Sequence, residues 1–240
     1  MLKHLGRVTL TRVFLSLSML CCTSLLSTQV SSKSILAEQP PVIAIIIDDI
    51  GDNRQQGLAA INLPGAISYA FLPHTPHSIE LAKHAHSLGK EVMLHAPMEN
   101  KAGLRLGPGA MTHDQSDDQL KKTLHSDFDV IPHVVGMNNH MGSLLTEDRE
   151  KMQQVMTVMQ QRNMFFLDSV TTSKTVAWKV ANEYGIPYLV RDVFLDNEPS
   201  WHAIHQQFKQ ALKIAMQQRH AVLIGHPYPE TVAYLEKALP

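Results

Sequence analysis

Residues 42–53 read VIAIIIDDIGDN: six apolar residues, most of them β-branched, followed directly by the carboxylates Asp48 and Asp49. A short continuous apolar run is typical of a strand in a parallel sheet that is covered on both faces. Polar residues at the carboxyl end of such a strand lie where α/β proteins collect their ligand-binding and catalytic groups. The stretch therefore predicts a buried first strand that brings two acids to one rim of a sheet.

The same pattern, a short apolar run that ends in a polar residue, recurs along the chain. The predicted strands are 42–47, 66–72, 91–95, 132–137, 164–168, 187–191 and 221–226. Amphipathic stretches between them predict helices at roughly 53–62, 77–88, 115–126, 147–162, 173–184, 200–218 and 229–238. Seven alternating strand–helix units predict an α/β protein with a distorted (β/α)7 barrel, and a doubly wound open sheet is the alternative.

Composition limits the class of protein. With 240 residues, 44% of them hydrophobic and 18% charged, the chain can bury the core of one folded domain. A formal net charge of -1 lacks the basic excess with which proteins hold a nucleic-acid backbone. Fourteen histidines are a surplus that indicates metal or proton chemistry.

The N-terminus predicts an export signal. Residues 1–12 carry basic side chains and no acid, and residues 13–26 form an apolar run with small residues mixed in. This order of a basic and then an apolar segment is typical of a secretory signal peptide. The apolar run is shorter than the roughly 20 residues of a membrane span, and an uncleaved signal anchor is the alternative.

Cleavage would leave a single mature domain, residues 38–240, which we predict to be periplasmic and without a membrane span. Removal of residues 1–37 leaves 17 Lys and Arg against 22 Asp and Glu. Both cysteines, Cys21 and Cys22, lie in the removed segment. Disulfides therefore play no part in the mature domain, although the compartment is oxidising.

Six predicted strands end at, or run into, polar side chains. These are Asp48–Asp49, His95, Asn138–Asn139–His140, Asp168, Arg191–Asp192 and His226. In an α/β barrel these strand ends form one rim. Carboxylate and imidazole groups on one rim are ligands suited to Zn²⁺ or a similar divalent ion.

Local sequence refines the expectation for three of these places. Adjacent strand residues point to opposite faces, so we expect Asp48 and Asp49 to divide metal binding and proton transfer between them. His95 and Glu99 are four residues apart, but Pro97 opposes a helix and indicates a loop. The segment around His140, GMNNHMGS, also lies outside any helix or strand pattern.

Six segments, in this order, resemble the divergent polysaccharide deacetylase family, a distant branch of the NodB-homology carbohydrate deacetylases. They are IAIIIDDIGDN, GKEVMLHAPMEN, GMNNHMGS, FFLDS, LVRDVFLDN and VLIGHPYPET. The resemblance runs from about residue 41 to the end of the chain. It implies a distorted barrel of the glycoside hydrolase/deacetylase type with a divalent metal at the strand-end rim.

The resemblance also implies roles for single residues. Deacetylases have an Asp-Asp motif whose first acid is the base and whose second acid binds the metal, and Asp48 and Asp49 match these places. Their Leu-x-His motif, which supplies the general acid, is matched by Ile224, Gly225 and His226.

Two family motifs differ in this chain. His95 matches the first of two motif histidines, and Glu99 stands where the second would be. The usual Arg-x-Pro loop is replaced by a segment that contains His140, a new candidate ligand. The chain ends at Pro240, without the short strand that relatives have after the last helix, so we expect the helix 229–238 to be weakly held.

The predicted function is metal-dependent hydrolysis of an acyl group, acetyl foremost, on an envelope polysaccharide or related carbohydrate. The predicted zinc ligands are Asp49, His95 and His140. The predicted catalytic residues are Asp48 as base, His226 as acid, and Asp168 and Arg191 as groups that orient them.

Two other functions remain open at this stage. A catalytically weak periplasmic module that binds carbohydrate or regulates would keep the fold and cleft, and the altered motifs favour it. A metallophosphoesterase on a similar barrel would need a basic clamp for phosphate, for which Arg191 is the main candidate.

Overall fold

The computed structural model describes residues 40–240, and the predicted signal peptide with its cleavage site lies outside the described residues. The strands are β1 (Val42–Ile50), β2 (Ser68–Phe71), β3 (Glu91–Met98), β4 (Val134–Met141), β5 (Phe165–Asp168), β6 (Tyr188–Val190), β7 (Val193–Phe194) and β8 (His220–Gly225). They pair in parallel in the order β6-β5-β4-β3-β2-β1-β8-β7. The curled parallel sheet is the distorted (β/α) barrel that the sequence predicts.

Helices follow the strands and cover the outside of the sheet. They are α1 (Arg54–Ile61), α2 (Ser78–Ser87), α3 (Asp117–Val130), α4 (Arg149–Arg162), α5 (Ala177–Glu183), α6 (Trp201–Gln218) and α7 (Pro229–Ala238). Four begin at a side chain that accepts a backbone N–H of the first turn: Asn53, Ser116, Asp148 and Ser200. Within residues 40–240, no helix combines the length and apolarity that crossing a bilayer requires.

The sheet has eight strands, so the predicted count of seven is wrong by one. The predicted strand 187–191 corresponds to β6, and the residues after it form a further strand, β7. β6 pairs with β5, whereas β7 pairs with β8 on the other side of the barrel. The link Arg191–Asp192 joins the two edges, with Arg191 N donating to Asp168 O at 3.0 Å and Asp192 N donating to Val222 O at 2.9 Å. A strand of two residues is too short to show an apolar pattern.

Three strands extend further toward the rim than predicted. β1 continues to Ile50, β3 to Met98 through Pro97, and β4 to Met141. The segments around Pro97 and His140, predicted as loops, pair with each other as neighbouring strands. Their polar side chains hid the strand pattern, because at the rim these strands border a polar cleft instead of an apolar core.

Apolar side chains form two layers, one on each face of the sheet. The larger layer lies between strands and helices and includes Ile45 and Ile47 of β1. The smaller layer fills the barrel interior and comprises Ile46, Ala70, Met93, Leu167, Val222 and Ile224. Since side chains alternate along a strand, Asp48, His95 and His226 continue the interior faces of their segments above this layer. The interior layer thus forms the floor of a polar site at the rim.

Candidate metal and catalytic site

A bulge in β1 brings both acids into one site. Strict alternation would place Asp48 inside the barrel and Asp49 against the helices. Asp49 instead has a φ of 58°, and the register with β2 shifts between Ile47 and Ile50. Bulges of this kind redirect a side chain. The expectation that the two acids point to opposite faces is therefore wrong.

The three predicted metal ligands converge. Asp49 Oδ1 lies 2.9 Å from His140 Nδ1 and 3.1 Å from His95 Nε2, and the two nitrogens are 3.1 Å apart. Four-coordinate zinc, with bonds of about 2.0–2.1 Å to nitrogen, separates its ligand atoms by about 3.3 Å. Asp49 Oδ1 is buried and makes no hydrogen bond of good geometry within residues 40–240. The donor set and its spacing fit a divalent ion.

Asn138, which was not among the predicted site residues, fixes the tautomer of one ligand. Its Nδ2 donates to Asp48 Oδ1 at 2.8 Å and to Asp48 Oδ2 at 3.0 Å. Its Oδ1, 2.7 Å from His95 Nδ1, can only accept, so that nitrogen carries the proton. The other ring nitrogen, His95 Nε2, is thereby directed at Asp49 and His140.

The two acids have opposite electrostatic environments. Burial raises the pKa of Asp48, and the charges of His95 and His226 and the Asn138 hydrogen bond offset this only in part. Burial also disfavours ionisation of Asp49, but the imidazoles of His140 and His95 outweigh it and hold its pKa well below the usual range. The Asp49 carboxylate therefore stays ionised, whereas Asp48 is the acid that can exchange a proton.

His226 is held by Asp196, a second residue that was not among the predicted site residues. Asp196 Oδ1 lies 2.9 Å from His226 Nδ1, and Asp196 Oδ2 accepts His226 N–H at 2.6 Å and Thr231 Oγ1 at 2.7 Å. Burial disfavours the imidazolium, but the hydrogen bond and charge of Asp196 outweigh it and raise the pKa of His226 to about 9. The other nitrogen, Nε2, lies 3.8 Å from Asp49 Oδ2.

Asp168 has a structural role in place of the predicted orienting one. Its Oδ1 accepts Val170 N–H at 2.9 Å, and its Oδ2 accepts Thr175 Oγ1 at 2.8 Å and Trp178 N–H at 3.3 Å. Leu167 belongs to the barrel interior, so alternation turns Asp168 toward the helices. Asp168 thus fixes the connection from β5 to α5 and does not contact the predicted base or acid.

Arg191 likewise binds backbone rather than the base. Its Nε donates to Ser169 O at 2.6 Å and its Nη2 donates to Val170 O at 2.8 Å. The guanidinium also lies 5.1 Å from the centre of the Phe194 ring. Its direct partners are therefore the segment after β5 and the wall of the cleft.

Glu99 is not part of the ligand group. Its Oε2 lies 2.7 Å from His113 N and 2.6 Å from His113 Nδ1. The place of a third ligand is taken by His140, which reaches the site because Pro97 and His140 pair across β3 and β4.

The site lies in an open cleft of about 330 Å³. The lining residues include both acids, the three histidines, Ser169, Thr171, Phe194, Asp196 and Tyr228. The rings of Phe194 and Tyr228 lie 5.3 and 5.4 Å from that of His226. A second cleft of about 330 Å³ shares Asp49 and His140, so the ligand group is open on two sides.

Comparison with known proteins places the chain in a family. It is 36% identical over 208 residues to the uncharacterized protein YibQ of Escherichia coli, covering 85% of this chain and 65% of that protein. It is 35% identical over 197 residues to an uncharacterized protein of Haemophilus influenzae, covering 82% and 70% of the two chains. The crystal structure of an uncharacterized protein of Agrobacterium tumefaciens shares the fold, with a TM-score of 0.79 at 21% identity over 82% of each chain. The family match extends over residues 45–240, from the interior of β1 to beyond α7, and the chain belongs to the divergent polysaccharide deacetylases.

Proposed function

We propose that the protein is a metal-dependent hydrolase that removes acyl groups, acetyl foremost, from a carbohydrate of the cell envelope. One observation carries the proposal: the ligand atoms of Asp49, His95 and His140 lie within 4.8 Å of one another, beside Asp48 and His226 in one cleft. Membership of the family supports a carbohydrate substrate.

Asp49, His95 and His140 would hold the ion, for which zinc is the proposed identity. A bound divalent ion supplies Lewis acidity toward an acyl carbonyl and lowers the pKa of water. The protein contributes His95 with its Nδ1 proton held by Asn138, which leaves Nε2 as the ligand atom, and a carboxylate that remains ionised. The second open cleft leaves room for substrate next to the ligand group.

Asp48 would act as the general base. Its burial raises its affinity for a proton, and Asn138 fixes the orientation of the carboxylate. A base of this kind takes the proton of the attacking water as the new bond to the acyl carbon forms.

His226 would act as the general acid. Since Asp196 raises the pKa of His226 to about 9, the imidazole is protonated near neutral pH and can donate from Nε2. With Nδ1 directed at Asp196, the Nε2 proton is available to the leaving amine or alkoxide.

The proposal includes export to the periplasm, supported by the basic and apolar segments of residues 1–26.

The test combines metal analysis of the purified protein with turnover of acetylated glycans and acetyl esters. Asp49→Asn and His140→Ala should lose metal and turnover together. Asp48→Asn should keep the metal and lose turnover by a factor of about 10² to 10⁴. Glu99→Gln is the matched control, because Glu99 binds His113, and it should keep both.

Other results of the same measurements would contradict single parts of the proposal. Stoichiometric metal in both Asp49→Asn and His140→Ala would show that the ion is bound elsewhere. A metal-loaded wild type that binds acetylated glycans without turnover would favour the carbohydrate-binding or regulatory module. N-terminal sequencing of exported protein tests the location, and an intact Met1 in the membrane fraction would contradict signal cleavage.

A further inference from the structure

Ser169 lines the cleft, and its buried hydroxyl has no hydrogen-bond partner among residues 40–240. It follows β5 directly, is 4% exposed, and lines the same cleft as Asp48 and His226. Within residues 40–240, no group is hydrogen-bonded to Ser169 Oγ. A buried hydroxyl without a partner is destabilising, so its presence at the wall of a ligand cleft calls for an explanation.

The backbone around this hydroxyl is fixed by three side chains. Ser169 N–H donates to Asn139 Oδ1 at 3.0 Å, and Ser169 O accepts Arg191 Nε at 2.6 Å. The next residue, Val170, donates its N–H to Asp168 Oδ1 at 2.9 Å and accepts Arg191 Nη2 at 2.8 Å. The hydroxyl is therefore held on a segment whose backbone is fixed, although no group of the described residues binds it.

The same segment carries backbone strain. Val170 has a φ of 48°, which is a true outlier for a β-branched residue. Strained residues persist where their surroundings over-determine them, and they cluster at ligand-binding and catalytic sites. The strained residue thus comes immediately after Ser169, whose side chain has no partner in the described part of the chain.

We propose that Ser169 is a substrate-binding residue whose hydroxyl hydrogen-bonds to a hydroxyl of the sugar ring that bears the acyl group. This rests on the proposed function. A serine hydroxyl both donates and accepts, as a sugar hydroxyl does. Phe194 and Tyr228 line the same cleft, and aromatic side chains can contact the apolar side of a sugar ring. Asp168, Asn139 and Arg191 are then positioning residues that act through the Ser169–Val170 backbone.

The experiment compares zinc-loaded wild type, Ser169→Ala and Ser173→Ala on tetra-N-acetylchitotetraose and on 4-nitrophenyl acetate. Ser173 is exposed and lies on the same connection between β5 and α5, so Ser173→Ala is the matched control. Its kcat and KM should stay at the wild-type values. Ser169→Ala should raise KM for the saccharide about five- to tenfold, the value of one lost hydrogen bond, with kcat changed less than about twofold. The effect should be at least about threefold smaller for the ester, which has no ring hydroxyl to lose a hydrogen bond.

Stability supplies a readout that does not depend on turnover. Removing a hydroxyl without a partner relieves a desolvation cost, so Ser169→Ala should unfold at the same temperature as wild type or higher. A fall in Tm of more than about 3 °C would assign the hydroxyl a structural hydrogen bond and overturn the proposal.

The remaining outcomes separate the two proposals. If wild type turns over the saccharide and Ser169→Ala does so with the same KM and kcat, the role proposed for Ser169 is wrong. The proposed function is then unaffected. Equal losses on saccharide and ester would also overturn it, since they place the effect at the reacting acyl group. If metal-loaded wild type turns over neither probe, the proposed function fails, and the assignment of Ser169 fails with it.

Discussion

Asn138 couples the proposed base to one of the proposed metal ligands. A single amide donates to both oxygens of Asp48 and accepts from His95 Nδ1. The amide nitrogen can only donate and the amide oxygen can only accept. Asp48 is therefore held as an acceptor, and His95 carries a proton on Nδ1, which leaves Nε2 for the ligand group. Partners of this kind behind a metal ligand set both its orientation and its basicity.

Asn138→Ala should weaken zinc binding although all three ligands remain. Loss of a partner behind a ligand typically costs about 10- to 100-fold in metal affinity. Zinc titration against a competing chelator at fixed pH measures the change. Asn197→Ala, an exposed residue of the same cleft, is the control and should bind zinc as wild type does. Equal affinity in Asn138→Ala and wild type would show that His95 needs no such partner.

Strand alternation explains which individual residues of the site could be placed from the sequence. Met93 and Ile224 face the barrel interior, and His95 and His226 follow them on the same faces, so their place at the rim could be predicted. The same rule, applied to Leu167, would have turned Asp168 away from the site. Asp49 breaks the rule through a bulge, and a bulge depends on pairing with β2, which the sequence of one strand does not reveal.

At the scale of elements, the turn after β1 brings its backbone against the segment before α2. Gly51 has a φ of 143°, and a Cβ built there would lie 2.1 Å from Thr75 Oγ1. Backbone bonds hold the same contact, with Leu72 N donating to Ile50 O at 2.9 Å and His77 N donating to Gly51 O at 3.0 Å. This close approach positions the carboxyl end of β1, where the two acids lie.

Gly51→Ala should therefore destabilise the fold by about 2 to 4 kcal/mol, through overpacking added to an unfavourable φ. Gly65→Ala is the matched control, because Gly65 has a φ of 82° but a Cβ there would have no neighbour within 4 Å. It should cost about 1 to 2 kcal/mol from the backbone alone. Urea unfolding measures both. Equal losses would mean that Thr75 moves aside and that the close approach contributes nothing.

Helix α3 contributes a buried acid that connects it to two loops. Asp127 Oδ1 lies 3.0 Å from His74 Nε2, and Asp127 packs against Gly109. Within the described part of the chain, Asp127 Oδ2 has no hydrogen-bond partner. Burial raises the pKa of Asp127 to about 8. The folded state therefore prefers the neutral acid, whereas the unfolded chain ionises at the ordinary pKa of about 3.9.

This pKa shift predicts a pH dependence of stability. With the folded pKa above the unfolded one, the contribution of Asp127 is fully present below about pH 4 and is lost as the pH rises toward 8. Asp127→Asn cannot ionise, so its stability relative to wild type should rise by at least about 1 kcal/mol between pH 5 and pH 8. Urea unfolding at the two pH values measures this difference, in which contributions common to both proteins cancel. A constant difference between variant and wild type would contradict the shift.

At the scale of the whole molecule, the described sheet is open between its two end strands, β6 and β7. Alternating strands and helices suffice to predict the barrel, because each apolar run and each amphipathic stretch is long enough to be recognised. The place of the open edge depends on β7, which has two residues and, among the described strands, pairs only with β8. β6, with three residues, pairs only with β5 within residues 40–240. The unpaired boundary between β6 and β7 is called the seam below.

The last helix, α7, is packed more firmly than expected from the sequence, which predicts a weakly held helix. Tyr234 and Leu235 of α7 are buried, and the Tyr234 ring lies 5.0 Å from Trp201 and 5.6 Å from Phe208 of α6. Thr231 near its start donates to Asp196, the partner of His226. The helix is therefore joined both to the core and to the proposed general acid.

Amide hydrogen exchange of the native protein tests whether α7 or the seam between β6 and β7 opens more easily. Exchange follows local opening, which is easiest where few backbone groups are paired and little apolar surface is buried. Residues 188–194 should exchange before the other strands, since each seam strand has one neighbour, while β1, paired on both sides, exchanges last. Amides of α7 should be protected well above the seam. Exchange of α7 as fast as the seam would support the weakly held helix instead, and it would mean that the buried contacts of Tyr234 do not anchor it.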